Sequence, residues 1–228
     1  GVSITAEPKQ PGEEANAGST TVTSKRPTTT TAGTYLPKGF EEVTGTTLDN
    51  GLTIQDSKGN QYVWVEVPKT AEVYPTAGLA VTSFTDEEYT AIETDLHTYT
   101  NDYRKSGWKD EYSSDAATGL TSEQYTGLKK KMLKSVYQNG GFYVGKYETG
   151  IENAPKTSGS SSTAPTEKPV IKQNAYPYNY VTCSQAQTLA SGMVKSENYT
   201  SSLMFGVQWD LVLKYLETKG TAQADLKT

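Results

Sequence analysis

The side chains able to do acid, base or nucleophilic chemistry are few: one cysteine, Cys183, and one histidine, His97, in 228 residues. A zinc site of thiolate and imidazole ligands needs about four such groups. One chain cannot supply them, nor can it form an internal disulfide. A serine–histidine–aspartate triad would have to use His97. That residue sits among Asp95, Leu96 and Tyr99 in a stretch with helical periodicity, the pattern of a histidine on a helix surface. Asp56 and Asn60, in Asp56-Ser57-Lys58-Gly59-Asn60, have the composition of a calcium loop. They lack its D-x-[DN]-x-[DN]-G spacing and its terminal glutamate, so the segment reads as a turn. The expectation is no catalytic residue, no metal ligand and no cofactor.

The chemistry that remains is recognition. The chain holds 16 Tyr and 3 Trp, and the run Tyr176-Pro177-Tyr178-Asn179-Tyr180 clusters three tyrosines on proline-containing backbone. Tyr176, Tyr178 and Tyr180 have two readings: rings that stack on a sugar or a protein partner, or half-buried rings that close the edge of the core. Lys+Arg total 21 against Asp+Glu 26, a net charge of -5, which gives no electrostatic footprint for nucleic acid. Hydrophobic residues make up 34% and mean hydropathy is -0.62. No apolar run approaches the ~20 residues of a membrane-spanning helix. The chain opens on Gly1, without an initiator methionine or a signal peptide, and so reads as a processed or recombinant segment.

The elements that position these residues follow from periodicity. Val2 and Ile4 alternate with Ser3 and Thr5 as one short strand. The rest of 1–34 is rich in Thr, Pro and Gly and cannot bury enough apolar surface to order itself, so it reads as an extended or flexible arm, a linker in the simplest reading. A domain is expected over 35–228. Within it, 52–55 and 61–67 form a hairpin, with Val63, Val65 and Val67 as its core face and Tyr62, Trp64 and Glu66 opposite. Thr85 with Glu88, and Thr121 with Gln124, open two helices as capping boxes. The first carries Tyr89, Ile92, Leu96, Tyr99 and Tyr103 as a core stripe; the second carries Leu128, Met132 and Val136 and ends at Asn139-Gly140-Gly141. Lys129, Lys130 and Lys131 read as its solvated face. A strand is expected over 142–148, an exposed Ser/Thr/Pro/Gly loop over 154–169, a helix capped by Thr182, and a last helix over 203–218.

In this order, three segments resemble the formylglycine-generating enzyme family, the sulfatase-modifying factors. Gly141-Phe142-Tyr143-Val144-Gly145-Lys146-Tyr147-Glu148 is similar to its "Phe-x-Ile-Gly-x-Tyr-Glu" strand. Pro177-Tyr178-Asn179-Tyr180-Val181-Thr182-Cys183-Ser184-Gln185-Ala186 resembles its "Pro-Val-x-x-Val-Ser-Trp-x-Asp-Ala" helix start. Ser202-Leu203-Met204-Phe205-Gly206-Val207-Gln208-Trp209-Asp210 resembles its "Arg-Leu-Pro-Thr-Glu-Ala-Glu-Trp-Glu" helix, with Trp209 as anchor. Residues 59–65 are similar to the opening strand of Firmicutes members. The resemblance implies an α+β, C-type-lectin-like fold over roughly 36–220. The family's catalytic cysteines, calcium ligands and closing motifs lie beyond the helix matched by Trp209, so the catalytic half is lacking, and Cys183 falls where the family has tryptophan.

The expected function is therefore a non-catalytic, extracellular binding or display module of a bacterial surface protein, with a protein or glycan at the cell surface as partner. Fold analogy alone does not select it. One alternative is a structural subunit of a filament or other homo-oligomeric assembly, in which the arm residues Val2 and Ile4 donate a strand to a neighbour. Another is a fragment of a formylglycine-generating-type oxidase.

Overall fold

The computed structural model describes residues 1–7, 28–100, 103 and 112–226. Its fold is α+β, and one antiparallel sheet organises it. The strands are β1 (Val2–Ala6), β2 (Phe40–Glu42), β3 (Thr53–Asp56), β4 (Gln61–Glu66), β5 (Gly141–Gly145), a separate pair β6 (Gly150–Ile151) and β7 (Tyr176–Pro177), then β8 (Lys195–Ser196) and β9 (Tyr199–Leu203). The large sheet runs β2-β3-β4-β5-β1-β9-β8. The helices are α1 (Asp86–Tyr99), α2 (Asp115–Thr118), α3 (Ser122–Asn139), α4 (Cys183–Ser191), α5 (Gly206–Thr218) and α6 (Gln223–Leu226).

Local signals account for the helices. Thr85 and Thr121 accept from the backbone N–H of Glu88 and Gln124, and those side chains accept from the threonine N–H in return. Thr182 and Gln185 do the same for α4. Two orphan donors are thereby satisfied at each N-terminus. Gly140 ends α3 in the left-handed conformation at φ 71°, which costs glycine nothing. Ile92 and Leu96 of α1, with Met132, Leu133 and Val136 of α3, join Val65, Phe142, Val207 and Leu211 in a core on one face of the sheet. Lys129, Lys130 and Lys131 are not merely solvated: they pair with Glu93 at 2.9 Å, Asp86 at 2.7 Å and Glu7 at 2.8 Å, tying α3 to α1 and to the end of β1.

The opposite face is buried as well. Tyr62 and Trp64 of β4 are 0% and 3% exposed and pack with Val2, Ile4, Tyr35, Tyr143, Ile171 and Tyr199 in a second core. The hairpin thus alternates as its sequence indicates, but both of its faces are core, because loops and α4 cover the aromatic side. Tyr35, Trp64 and Tyr143 meet edge to face at 4.9–5.3 Å between ring centroids, the arrangement that ring quadrupoles favour.

The largest departure from the sequence reading is at the N-terminus. Val2 and Ile4 lie inside the domain's own sheet and not in a separate arm. β1 lies between β5 and β9, pairing Ser3 with Val144 and with Ser202, and Ile4 is fully buried. The chain's own sheet takes up the strand because Val2 and Ile4 fill the gap over Tyr35 and Tyr143. Residues 28–34 also belong to the domain. Thr30 and Thr34 hydroxyls lie 2.7 Å apart, and Thr34 reaches the Tyr143 hydroxyl at 2.8 Å. Thr31 donates to Glu42 of the edge strand β2. The expected arm residues 8–27 lie outside the described residues. At the C-terminal side, Leu203 ends a strand over 199–203 and does not open the last helix expected from 203; α5 begins at Gly206. The 154–169 segment has neither helix nor strand and is largely exposed.

Candidate functional site

Cys183 is the exposed first residue of α4. His97 is on α1, its Nε2 3.6 Å from Glu93 Oε1. α1 packs through Ile92 and Leu96 on one face of the sheet and α4 through Ala190 on the other, so the sheet separates the thiol from the imidazole. Burial works against the Glu93 carboxylate, but hydrogen bonds from His97 and Lys129 outweigh it and hold the carboxyl below its ordinary range. Among the described residues no group of three or more His, Cys, Asp or Glu could hold a metal ion. No described helix is long and apolar enough to cross a membrane.

The 56–60 segment is a turn closed by its own carboxylate. Asp56 Oδ1 accepts from the Lys58 and Asn60 N–H groups at 2.9 Å, and Oδ2 accepts from Asn60 Nδ2 at 2.9 Å. Asn60 Oδ1 in turn accepts from the Ile171 N–H at 2.8 Å. This clips the stretch that follows the 154–169 loop onto the β3–β4 turn.

The three tyrosines divide. Tyr176, on β7 opposite Ile151, and Tyr180 are 42% and 55% exposed. Tyr178 between them is half-buried: its hydroxyl donates to the Glu167 carbonyl at 2.8 Å, and Lys156 Nζ stands 5.4 Å over its ring. Tyr178 is therefore a brace and its neighbours are the free rings. Tyr180 adopts φ 51°, a left-handed conformation that disfavours a bulky side chain. Lys156 Nζ holds it by donating to its carbonyl at 3.1 Å. Gly159 packs so closely on the Tyr180 backbone that a Cβ there would collide with it. The exposed loop thus buttresses the aromatic segment.

A cleft of about 700 Å³ opens at the other end of the same loop, within the size range of small-ligand sites. Phe40, Pro169, Val170, Leu189 and Met193 form apolar lining, and Lys38, Lys58, Lys168 and Lys195 stand around it with Asp56 and Glu152. The lysines come from the start of β2, the β3–β4 turn, the end of the 154–169 loop and β8. Beneath the cleft, Tyr62 packs on Phe40 at 5.7 Å, fully buried, with no partner for its hydroxyl among the described residues. Burial first, and then the Asp56 carboxylate, push that hydroxyl well above its ordinary pKa. A second cleft of about 920 Å³ shares Phe40 and Asp56 but is walled by Glu41 and Glu42.

The lysine ring escapes sequence reasoning. Its members are far apart in the chain and sit at turns, in Pro37-Lys38-Gly39, Lys58-Gly59 and Lys168-Pro169, where lysine is ordinarily just solvated. No local signal distinguishes them; only the topology gathers them. Trp209, the anchor of the family resemblance, is 53% exposed on α5. Comparison with known proteins gives no match: no family model fits the chain, and no curated protein or solved structure is significantly similar to it.

Proposed function

We propose that the chain is a non-catalytic recognition module with a C-type-lectin-like fold, displayed extracellularly on a bacterial surface and binding a protein or glycan through Tyr176 and Tyr180. One observation carries this reading: two exposed tyrosines are held out by a structure that tolerates backbone strain to keep one of them there. A strained aromatic residue, Tyr180, held by a lysine and a glycine contact beside a third tyrosine is more than an edge of the core needs. The resemblance to sulfatase-modifying factors supports the fold, and the lone Cys183 and lone His97 support the non-catalytic assignment. Glycan and protein arrays test it. A retained ligand should lose about tenfold or more in affinity with Tyr176→Ala plus Tyr180→Ala, and part of that with Gly159→Ala. Binding that survives the double variant, or an array on which nothing is retained, would overturn it.

A second reading, a subunit assembled by strand exchange, is favoured by one feature: all the partners of β1 are remote in sequence, so another copy's β1 could make the same pairings. A Ser3→Cys/Ser202→Cys variant in a Cys183→Ser background distinguishes the two. A cross-linked monomer on a non-reducing gel supports the strand staying in its own chain; a ladder of covalent multimers supports exchange.

A further inference from the structure

We propose that the lysine-ringed cleft is a binding site for a short acidic oligosaccharide, one that carries carboxylate or sulfate groups. The site is separate from the tyrosine pair and independent of the role given to those rings.

The decisive observation is how the lysines of this molecule are matched. Every other described lysine meets a carboxylate within 4.0 Å or stands over an aromatic ring, as Lys129 does with Glu93 and Lys134 does with Phe84. Lys38, Lys58, Lys168 and Lys195 do neither among the described residues, and all four line one cleft. In a protein of net charge -5, scattered solvated lysines would be expected near some of the excess carboxylates. The two carboxylates that share the cleft are already engaged. Asp56 accepts three hydrogen bonds from its own turn, and Glu152 pairs with Lys172 at 3.0 Å. The cleft therefore presents four lysines without an ion-pair partner against the single charge of Asp56, a net positive site, and its concave wall concentrates their field.

The shape and lining select the ligand class. Lysine is a point charge on a flexible stem, suited to separate anionic groups and not to the bidentate grip that arginine gives. The floor of Pro169, Leu189 and Met193, none of them fully buried, offers apolar contact to the carbon face of a sugar ring. Phe40 is buried at 7% exposure, so the cleft has no exposed ring on which a nucleic-acid base could stack. The overall negative charge opposes a long polyanion. Glu41 and Glu42, walling the adjoining cleft, would repel an anion that extends past Phe40. What fits is a short chain with an acidic group on its sugars.

Titration calorimetry on the whole chain tests this with four probes: a heparin tetrasaccharide for sulfate, trigalacturonate for carboxylate, maltotetraose as the neutral control, and polyuridylate as a non-saccharide polyanion. At least one acidic oligosaccharide should bind, and should weaken as salt rises from about 50 to about 300 mM. Maltotetraose should not bind. Lys58→Ala plus Lys195→Ala should weaken the interaction about tenfold or more with an unchanged melting curve, because both side chains are exposed. Tyr176→Ala plus Tyr180→Ala should leave it unchanged, which separates this site from the aromatic one. The proposal is overturned if neither acidic probe binds at low salt, if the lysine variant binds as well as the parent, or if maltotetraose or polyuridylate binds as tightly as the acidic oligosaccharides.

Discussion

The two faces of the sheet are both buried but are held by different means. On the helical face, α1, α3 and α5 lay apolar stripes on Val65, Phe142 and Val144, and the nearby lysines 129, 130 and 131 each close an ion pair to another element. On the other face, α4 is the one described helix that contributes buried residues to the core; the rest of the cover is loop, and the interior is aromatic rings and hydrogen-bonded hydroxyls. Its rim carries the unpaired lysines and the exposed tyrosines. The helical face commits these lysines to cohesion, whereas the other face, which also pairs Lys172 with Glu152, leaves four lysines available. The division teaches where a partner would be met: on the side whose polar groups are not consumed by the fold.

Substitutions can break that comparison. The largest effect is expected on the helical face, where Leu133→Ala empties a site 1% exposed and should cost about 2–5 kcal/mol in denaturant titrations. A loss under about 1 kcal/mol would mean that helix packing is not what secures this face. Asn60→Ala on the loop face should cost less, about 1–3 kcal/mol, since it leaves the buried Ile171 N–H without its acceptor. It should also loosen the 170–171 stretch, seen as faster amide exchange there.

Acid should act first on the helical face. Glu93 has its folded pKa lowered from 4.5, as does Glu7, where burial opposes but hydrogen bonds from Lys131 and Thr200 prevail. A depressed carboxyl contributes stability that is present above its unfolded pKa and is lost as pH falls through the folded one. Stability should therefore decline below about pH 4.5, and Glu93→Gln should flatten that decline while removing about 0.5–1 kcal/mol at neutral pH. An acid limb unchanged in Glu93→Gln would show that the clamp to Lys129 contributes nothing. The smallest effect belongs to the cleft: Lys38→Ala or Lys168→Ala should move stability by no more than about 0.5 kcal/mol, as exposed charges without partners do. A larger loss would mean that these lysines are part of the cohesion after all.

Local chemistry makes the helical face readable. Thr85-Asp86-Glu87-Glu88 and Thr121-Ser122-Glu123-Gln124 announce helix starts within four residues, and the spacing of Ile92 and Leu96 or Met132 and Val136 gives the buried stripe. The loop face has no such code. That Tyr62 and Trp64 are core depends on what lies over them, and those covers, Tyr35 and Ile171, come from segments without periodicity. The place of β1 is hidden for the same reason, because Val2 and Ile4 announce a strand but not its neighbours. The strand from Tyr199 to Leu203 is likewise masked by the adjoining α5 pattern, where Leu211 and its neighbours dominate. The tyrosine run is legible as a cluster, but the division of labour that makes Tyr178 a brace depends on the remote Glu167 carbonyl.

The central position of β1 also bears on how the domain is made. Its strand is synthesised before the rest of the domain, yet its partners Tyr143 and Val144 come much later, and those from Tyr199 to Leu203 later still. At about 5–20 residues per second the strand waits roughly 10–40 s on the ribosome before β9 exists. Until then Val2 and Ile4 lack the cover that Tyr199 will give, and β1 has an open edge on the side that β9 will fill. Closure is therefore a late, long-range event that couples the two ends of the domain, with the slow folding that non-local pairing brings. A nascent chain halted before Tyr199 would hold the capped helices α1, α3 and α4 and its hairpin while lacking β9, and with it the second neighbour of β1 and the attachment of β8.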